Sequence, residues 1–241
     1  MTTADQDTDP STRTRTRTGK RTSTSTDTLS ALRGLEDSRP SVRLRAALAI
    51  GSTPDARSVE KLVERCAAEP DFSVREMLTW ALTRHAAPLT VPRLIDELRS
   101  ERPQARSQAL HTLSKIGDRR AWPAITGALL SDADDEVARS AWRAAVVLVP
   151  EGAAPELAAA LAAQLGRGGR DTQLSLSRAL IALGEAAALP ALRPAMTDPD
   201  PRVRHHATAT ERLLRDPEAG FEYAIEEAKR MTALQDRPGG E

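Results

Sequence analysis

The chain is poor in aromatic residues, with three Trp, two Phe and one Tyr among 241 residues. A core built with so few must rely on Leu, Ala, Val and Ile, which suits closely spaced helices better than one large globular interior. Cysteine occurs once, at Cys66, so no internal disulfide can form, as in a reducing compartment. It falls in an apolar helical stretch with no His or second Cys nearby and reads as a small buried residue rather than a reactive thiol. No run of 18 apolar residues exists, and the first residues lack the apolar segment of a secretory signal, so the expected location is cytoplasmic. Net charge is missing too: 34 Lys and Arg balance 34 Asp and Glu, and bulk charge is silent on nucleic acid. Lysine is confined to Lys20, Lys61, Lys115 and Lys229, and this arginine and alanine usage suggests a GC-rich bacterial genome.

What is present is a repeat. Ala105 to Asp118, ARSQALHTLSKIGD, sets a template of apolar, Arg, two variable, apolar, two variable, small, apolar, two variable, apolar, Gly. It returns from Val42, Val74, Val137, Thr172 and Val203, with starts 32, 31, 32, 35 and 31 residues apart along the chain. Such a period predicts an array of helical hairpins. The template stretch is the second helix of each hairpin. The first helices are expected at 57–68, 89–99, 120–131, 153–165 and 187–196, with Pro92, Pro123, Pro155 and Pro190 near the starts of four of them. Turns such as SDADDEV at 131–137 and TDPDPRV at 197–203 offer carboxylates to cap the following helix. LGRGGRD at 165–171 is the longest and most glycine-rich of these turns, and the expected flexible point.

Three segments follow. Residues 1–27 alternate Thr, Arg, Ser and Asp almost without apolar residues and are expected to be a disordered tail, whose cluster Arg13, Arg15, Arg17, Lys20 and Arg21 suits an acidic surface. Residues 28–215 form the array. Residues 216–241 are expected to supply an amphipathic capping helix, through Phe221, Ala224, Ile225, Ala228 and Met231, and then a frayed end.

VRLRAALAIG, ARSQALHTLSKIGD and DPDPRVRHHATA resemble HEAT repeats, particularly the short variety of the phycobilisome-lyase type. The resemblance implies an all-α, right-handed α-solenoid of about six hairpins, with the second helices forming a concave inner face. It implies a scaffold for protein contacts more than any one activity. Deoxyhypusine hydroxylases are similar arrays that bind iron through repeated His-Glu pairs. Here His85, His111, His205 and His206 are each followed by another residue, and that ligand pattern is missing. Nor does any stretch read as a pigment pocket of the lyases. His205 and His206 stand about 100° apart on a helix and do not share one metal ion. No strained nucleophile turn supports a hydrolase triad, so no catalytic residue, metal or cofactor is nominated.

On a helical wheel, template positions one, five, eight, nine and twelve point inward, and three, four, seven and eleven outward. The seventh position forms a column, Leu48, Trp80, His111, Arg143, Arg178 and Ala209, flanked by Arg45, Met77 and Arg139. Within the template stretches only Glu76 and Glu211 oppose the arginines. Arg43, Arg75, Arg106 and Arg204, at position two, are expected to pair with carboxylates in neighbouring turns and brace the stack. Trp80 reads either as an aromatic anchor for a partner or as packing against the next repeat, whereas Trp122 and Trp142 read as core. The expected function is a non-enzymatic scaffold whose basic groove binds an acidic protein segment through Arg45, Met77, Trp80, His111, Arg139, Arg143 and Arg178. The alternative is a nucleic-acid groove like that of the HEAT-like alkylated-base glycosylases, for which steep salt dependence would be the signature.

Overall fold

The computed structural model describes residues 28–216, and the expected tail at 1–27 and capping helix beyond 216 lie outside them. Among the described residues the chain is helical throughout, with no strand. It divides between Arg93 and Leu94 into two compact units. The first holds α1 (28–34), α2 (Pro40–Ser52), a 3-10 turn running into α3 (Val59–Ala68), and α4 (Phe72–Arg84). The cut falls inside α5 (Ala87–Glu97). The second unit continues with α6 (Pro103–Ile116), a 3-10 stretch (Arg119–Ala124), α7 (Gly127–Leu130), α8 (Asp135–Leu148), α9 (Ala154–Ala162), α10 (Arg170–Ala182), α11 (Glu185–Ala195) and α12 (Pro201–Arg215).

Within each unit, second helices pack side by side. In the first unit α2 lies against α4; in the second α6 lies against α8, α8 against α10, and α10 against α12. First helices close the hairpins from the other side, as α3 does on α4 and α11 on α12. A second helix therefore has neighbours on more than one flank, and its buried face is wider than the template allows. Position six, read as variable, is buried as Ala47, Thr79, Leu110, Trp142 and Ser177. Trp142 is fully buried, and its indole N–H donates to the Leu130 carbonyl at 2.8 Å, which locks α8 to α7.

Helix starts follow from local chemistry. The carboxylates of Asp71, Asp134 and Asp200 accept from the first N–H groups of α4, α8 and α12, and proline stands first in α2, α6 and α12. Two expectations about prolines need correction. Pro92 and Pro190 lie inside α5 and α11 rather than at their starts, and the first helix expected over 120–131 is broken. There Pro123 ends a 3-10 stretch, Ile125 and Thr126 are extended, and one turn of α-helix follows from Gly127; a missing N–H, two β-branched residues and a glycine in succession all disfavour an unbroken helix.

The position-two arginines are structural. Each turns its Nη1 back onto two carbonyls of the preceding turn: Arg43 onto Asp37 and Ser38, Arg75 onto Glu69 and Pro70, Arg106 onto Ser100 and Glu101, Arg204 onto Asp198 and Pro199, at 2.7–3.2 Å. Backbone oxygens that the helix ends leave without partners are thereby satisfied. Arg43 and Arg106 use their remaining edge on a carboxylate 26 residues on, Glu69 at 2.6–2.7 Å and Asp132 at 3.0 Å, fastening consecutive hairpins. Where Ala138 replaces the arginine, Arg167 from the following hairpin supplies the guanidinium, bonding Asp135 and the carbonyl of Asp132, which lies six residues before Ala138. The donor has changed chain position while its acceptor has not.

Candidate functional site

The outward positions of the second helices are where a site has to be sought, because the inward ones are filled by the hairpin stack. Position seven is open as read from the sequence: Leu48, Trp80, Arg143, Arg178 and Ala209 are exposed and His111 is half-buried. Position four is not uniformly so, since Ser140 and His206 are buried between helices.

In the first unit the open positions of α2 and α4 are apolar and aromatic. Leu48 is 42% and Trp80 37% exposed. Trp80 does not hang free: a Cβ on Gly51 would lie 2.4 Å from its Cζ3 and 2.9 Å from the Cα of Ala81, so ring and helix both press on the bare glycine backbone. Of the two readings of Trp80, packing against the adjacent hairpin is what the contact with Gly51 shows, and part of the ring remains exposed. Leu48 stands one turn before Gly51, Met77 one turn before Trp80 and half-buried, and Arg45 is exposed with no carboxylate partner among the described residues. Gly51 lies in the last turn of α2, and at template position ten the other hairpins carry Thr83, Ser114, Val146, Ile181 and Arg212. That contrast is the sequence signal that could have marked Gly51 as a seat for Trp80.

In the second unit two of the expected free arginines share one carboxylate. Helix α8 begins at Asp135, two residues ahead of the template, and brings Glu136 into its first turn, where the helix dipole favours a carboxylate. Glu136 faces Arg139 at 3.5 Å and Arg143 at 3.4 Å, while Arg143 also donates to Ser140 Oγ at 3.0 Å. The Nε of Arg139 is buried without a partner. Arg178 remains exposed and unpaired among the described residues, His111 is half-buried, and Trp122 is half-buried in its 3-10 stretch. Counting charges only within template stretches overlooked Glu136 and made the face appear more basic than it is. The broken first helix leaves a cleft of about 340 Å3 lined by Ile95, Leu98, Pro123, Ala128 and Leu129, above the Arg106–Asp132 pair.

Buried charge elsewhere is structural. Glu69 is fully buried; desolvation pushes its carboxyl up, but hydrogen bonds from Arg43, the Asp71 N–H and Arg65 outweigh it and hold the group at about 2. Asp55 and Asp118, each clamped by the arginine two residues on, also sit at about 2. Among the described residues no group of three His, Cys, Asp or Glu side chains is placed to hold a metal ion, and no helix is long and apolar enough to cross a membrane.

A solved structure similar to this chain is that of human deoxyhypusine hydroxylase in complex with glycerol, 23% identical, with 78% of this chain and 73% of that one covered and a TM-score of 0.39. No curated protein matches. That protein is an enzyme by its name; a likeness of this size neither assigns an activity to this chain nor excludes one, so the expectation of a non-enzymatic scaffold with a basic groove is not carried further. Glu136, ion-paired to both Arg139 and Arg143, offsets one of their two positive charges. The model for HEAT repeats matches residues 4–83 and 67–146, more than half of the chain. With helical hairpins packed second helix to second helix in both units, this chain belongs to the HEAT-repeat family.

Proposed function

We propose that the chain is a protein-binding HEAT array and that its first unit offers an apolar contact surface made by Leu48, Met77 and Trp80 on α2 and α4. The observation that carries this reading is Trp80, an exposed indole already immobilised on Gly51. An aromatic side chain fixed before binding loses little conformational entropy when a partner covers it, and partly exposed Trp is the commonest type of interface hot spot. The occupant that suits such a surface is a protein segment with a large apolar side chain. This reading is independent of any activity the chain has besides.

Partner recovery tests it. Tagged full-length chain carrying Trp80→Ala or Leu48→Asp is compared with wild type and with Leu89→Ala, which alters an exposed leucine on α5. A hot spot of about 2 kcal/mol or more lowers affinity roughly thirtyfold. Both surface variants are therefore expected to lose a protein that wild type and Leu89→Ala retain, with melting temperatures confirming that all four are folded. Equal recovery by all four contradicts the reading.

A further inference from the structure

His206 of α12 is buried where three elements meet: its own helix, α10, and the glycine-rich turn before α10. Its hydrogen bonds fix its protonation state. Nδ1 accepts the Gly166 N–H at 3.0 Å, so Nδ1 carries no proton and the hydrogen of the neutral ring is on Nε2. Nε2–H faces the Gln173 carbonyl at 2.9 Å and Ser177 Oγ at 3.1 Å. Ser177 then donates to Thr210 Oγ1 at 2.7 Å, and Thr210 donates to the His206 carbonyl at 2.8 Å. The hydrogens in this chain all point one way, with Nε2–H shared between its two acceptors. Ser177 is consequently no nucleophile activated by His206, despite their proximity: its proton is directed at Thr210.

We propose that His206 is an acid-sensitive latch that holds α12 to the 165–169 turn and to α10. A proton added to Nδ1 turns the acceptor of the Gly166 N–H into a second donor, and two N–H groups then oppose each other at hydrogen-bond distance. Gly166 is seated directly on α12, since a Cβ there would meet Val203 at 3.1 Å, and its φ of 81° is a left-handed conformation already committed to the turn; the opposed N–H groups are relieved by parting the turn from the helix. The charges around the ring do not compensate for an imidazolium. From the turn, Arg167 reaches away to Asp135; from α12, Arg202 places a cation on the Gly166 carbonyl at 2.8 Å and His205 is exposed; from α10, the contacting residues Gln173 and Ser177 do not titrate. Burial accordingly lowers the basicity of His206 from its ordinary value of 6.5, against a smaller opposing effect of the Gln173 carbonyl. A depressed histidine contributes its full stabilisation above pH 6.5, and that contribution drains away as pH falls below it, because the opened state takes up the proton first. Mild acid is thus expected to free α12 and whatever follows it in the chain.

Two measurements on the full chain test the latch. Nitrogen-15 NMR titration is expected to show His206 as the Nε2–H tautomer, titrating below the ordinary histidine value of 6.5. Hydrogen exchange, corrected for its intrinsic pH dependence, is expected to show opening of 166–180 and 201–215 rising up to about tenfold per pH unit below 6.5 in wild type. In His206→Asn and His206→Gln the same segments lose that pH dependence. The latch is overturned if His206 titrates at or above 6.5, if wild-type protection is flat from pH 7.5 to 5, or if both variants keep the wild-type slope. The titration of the wild type decides alone should neither variant fold.

Discussion

Replacing Arg43 by leucine is expected to lower the stability of the first unit by about 3–5 kcal/mol, the range for removing one partner of a buried ion pair. Arg43 is 5% and Glu69 0% exposed. Without the guanidinium, Glu69 loses its two bonds at 2.6–2.7 Å while keeping Arg65 and the Asp71 N–H, and the carbonyls of Asp37 and Ser38 lose their donor. The double variant Arg43→Leu, Glu69→Leu is expected to recover much of the loss, since the cost lies in stranding a charge rather than in lacking a pair. There is a pH signature. The Glu69 carboxyl is depressed from 4.5 to about 2, so its contribution is complete above pH 4.5 and fades as pH falls toward 2. Denaturant unfolding at pH 7 and pH 3 checks both points: the gap between wild type and Arg43→Leu should narrow in acid. An Arg43→Leu loss below 1 kcal/mol at pH 7 would show that the clasp is not what joins α2 to the turn before α4.

Gly51→Ala is expected to destabilise the first unit by about 1–3 kcal/mol, although alanine is the better helix former by about 1 kcal/mol. The added methyl would sit 2.4 Å from the Trp80 ring and 2.9 Å from backbone of α4, and only the ring can give way. Trp80 should then swing outward, raising its exposure and shifting its fluorescence to longer wavelength. On the reading of Trp80 as a pre-set anchor, partner affinity falls with it even though the contact residues are unchanged. Thermal unfolding, tryptophan emission and partner recovery on one variant separate the three effects; a Gly51→Ala chain as stable as wild type would mean that α2 and α4 pack less closely than 2.4 Å implies.

The repeat and the helical class were legible in the sequence because each rests on local periodicity. Asp caps and N-terminal prolines were legible for the same reason. The carboxylate pairing expected of the position-two arginines, by contrast, holds for Arg43 and Arg106 but not for Arg75 and Arg204, which bond backbone carbonyls. What escaped depends on neighbours in space. Trp142 at a variable position is buried because α8 is flanked by both α6 and α10, which a wheel drawn for one neighbour cannot show. Arg167 takes the place of an arginine missing at Ala138 from a segment 29 residues away in the chain. Glu136 stands one residue ahead of the template stretch that opens at Val137, and it pairs with both Arg139 and Arg143, offsetting one of their two charges. The His206 network could not be read from His205-His206 as letters, since the two neighbours have opposite fates, one exposed and one buried.

The most direct test of where the array meets its partner is photocrosslinking in the native cell, with benzoylphenylalanine placed in turn at Trp80, Leu48 and Glu64. Glu64 is exposed on α3, in the first-helix layer. Adducts of one protein from positions 80 and 48, and none of it from 64, are the expected result. The same adducts from all three, or an adduct from 64 alone, would contradict a contact surface on α2 and α4.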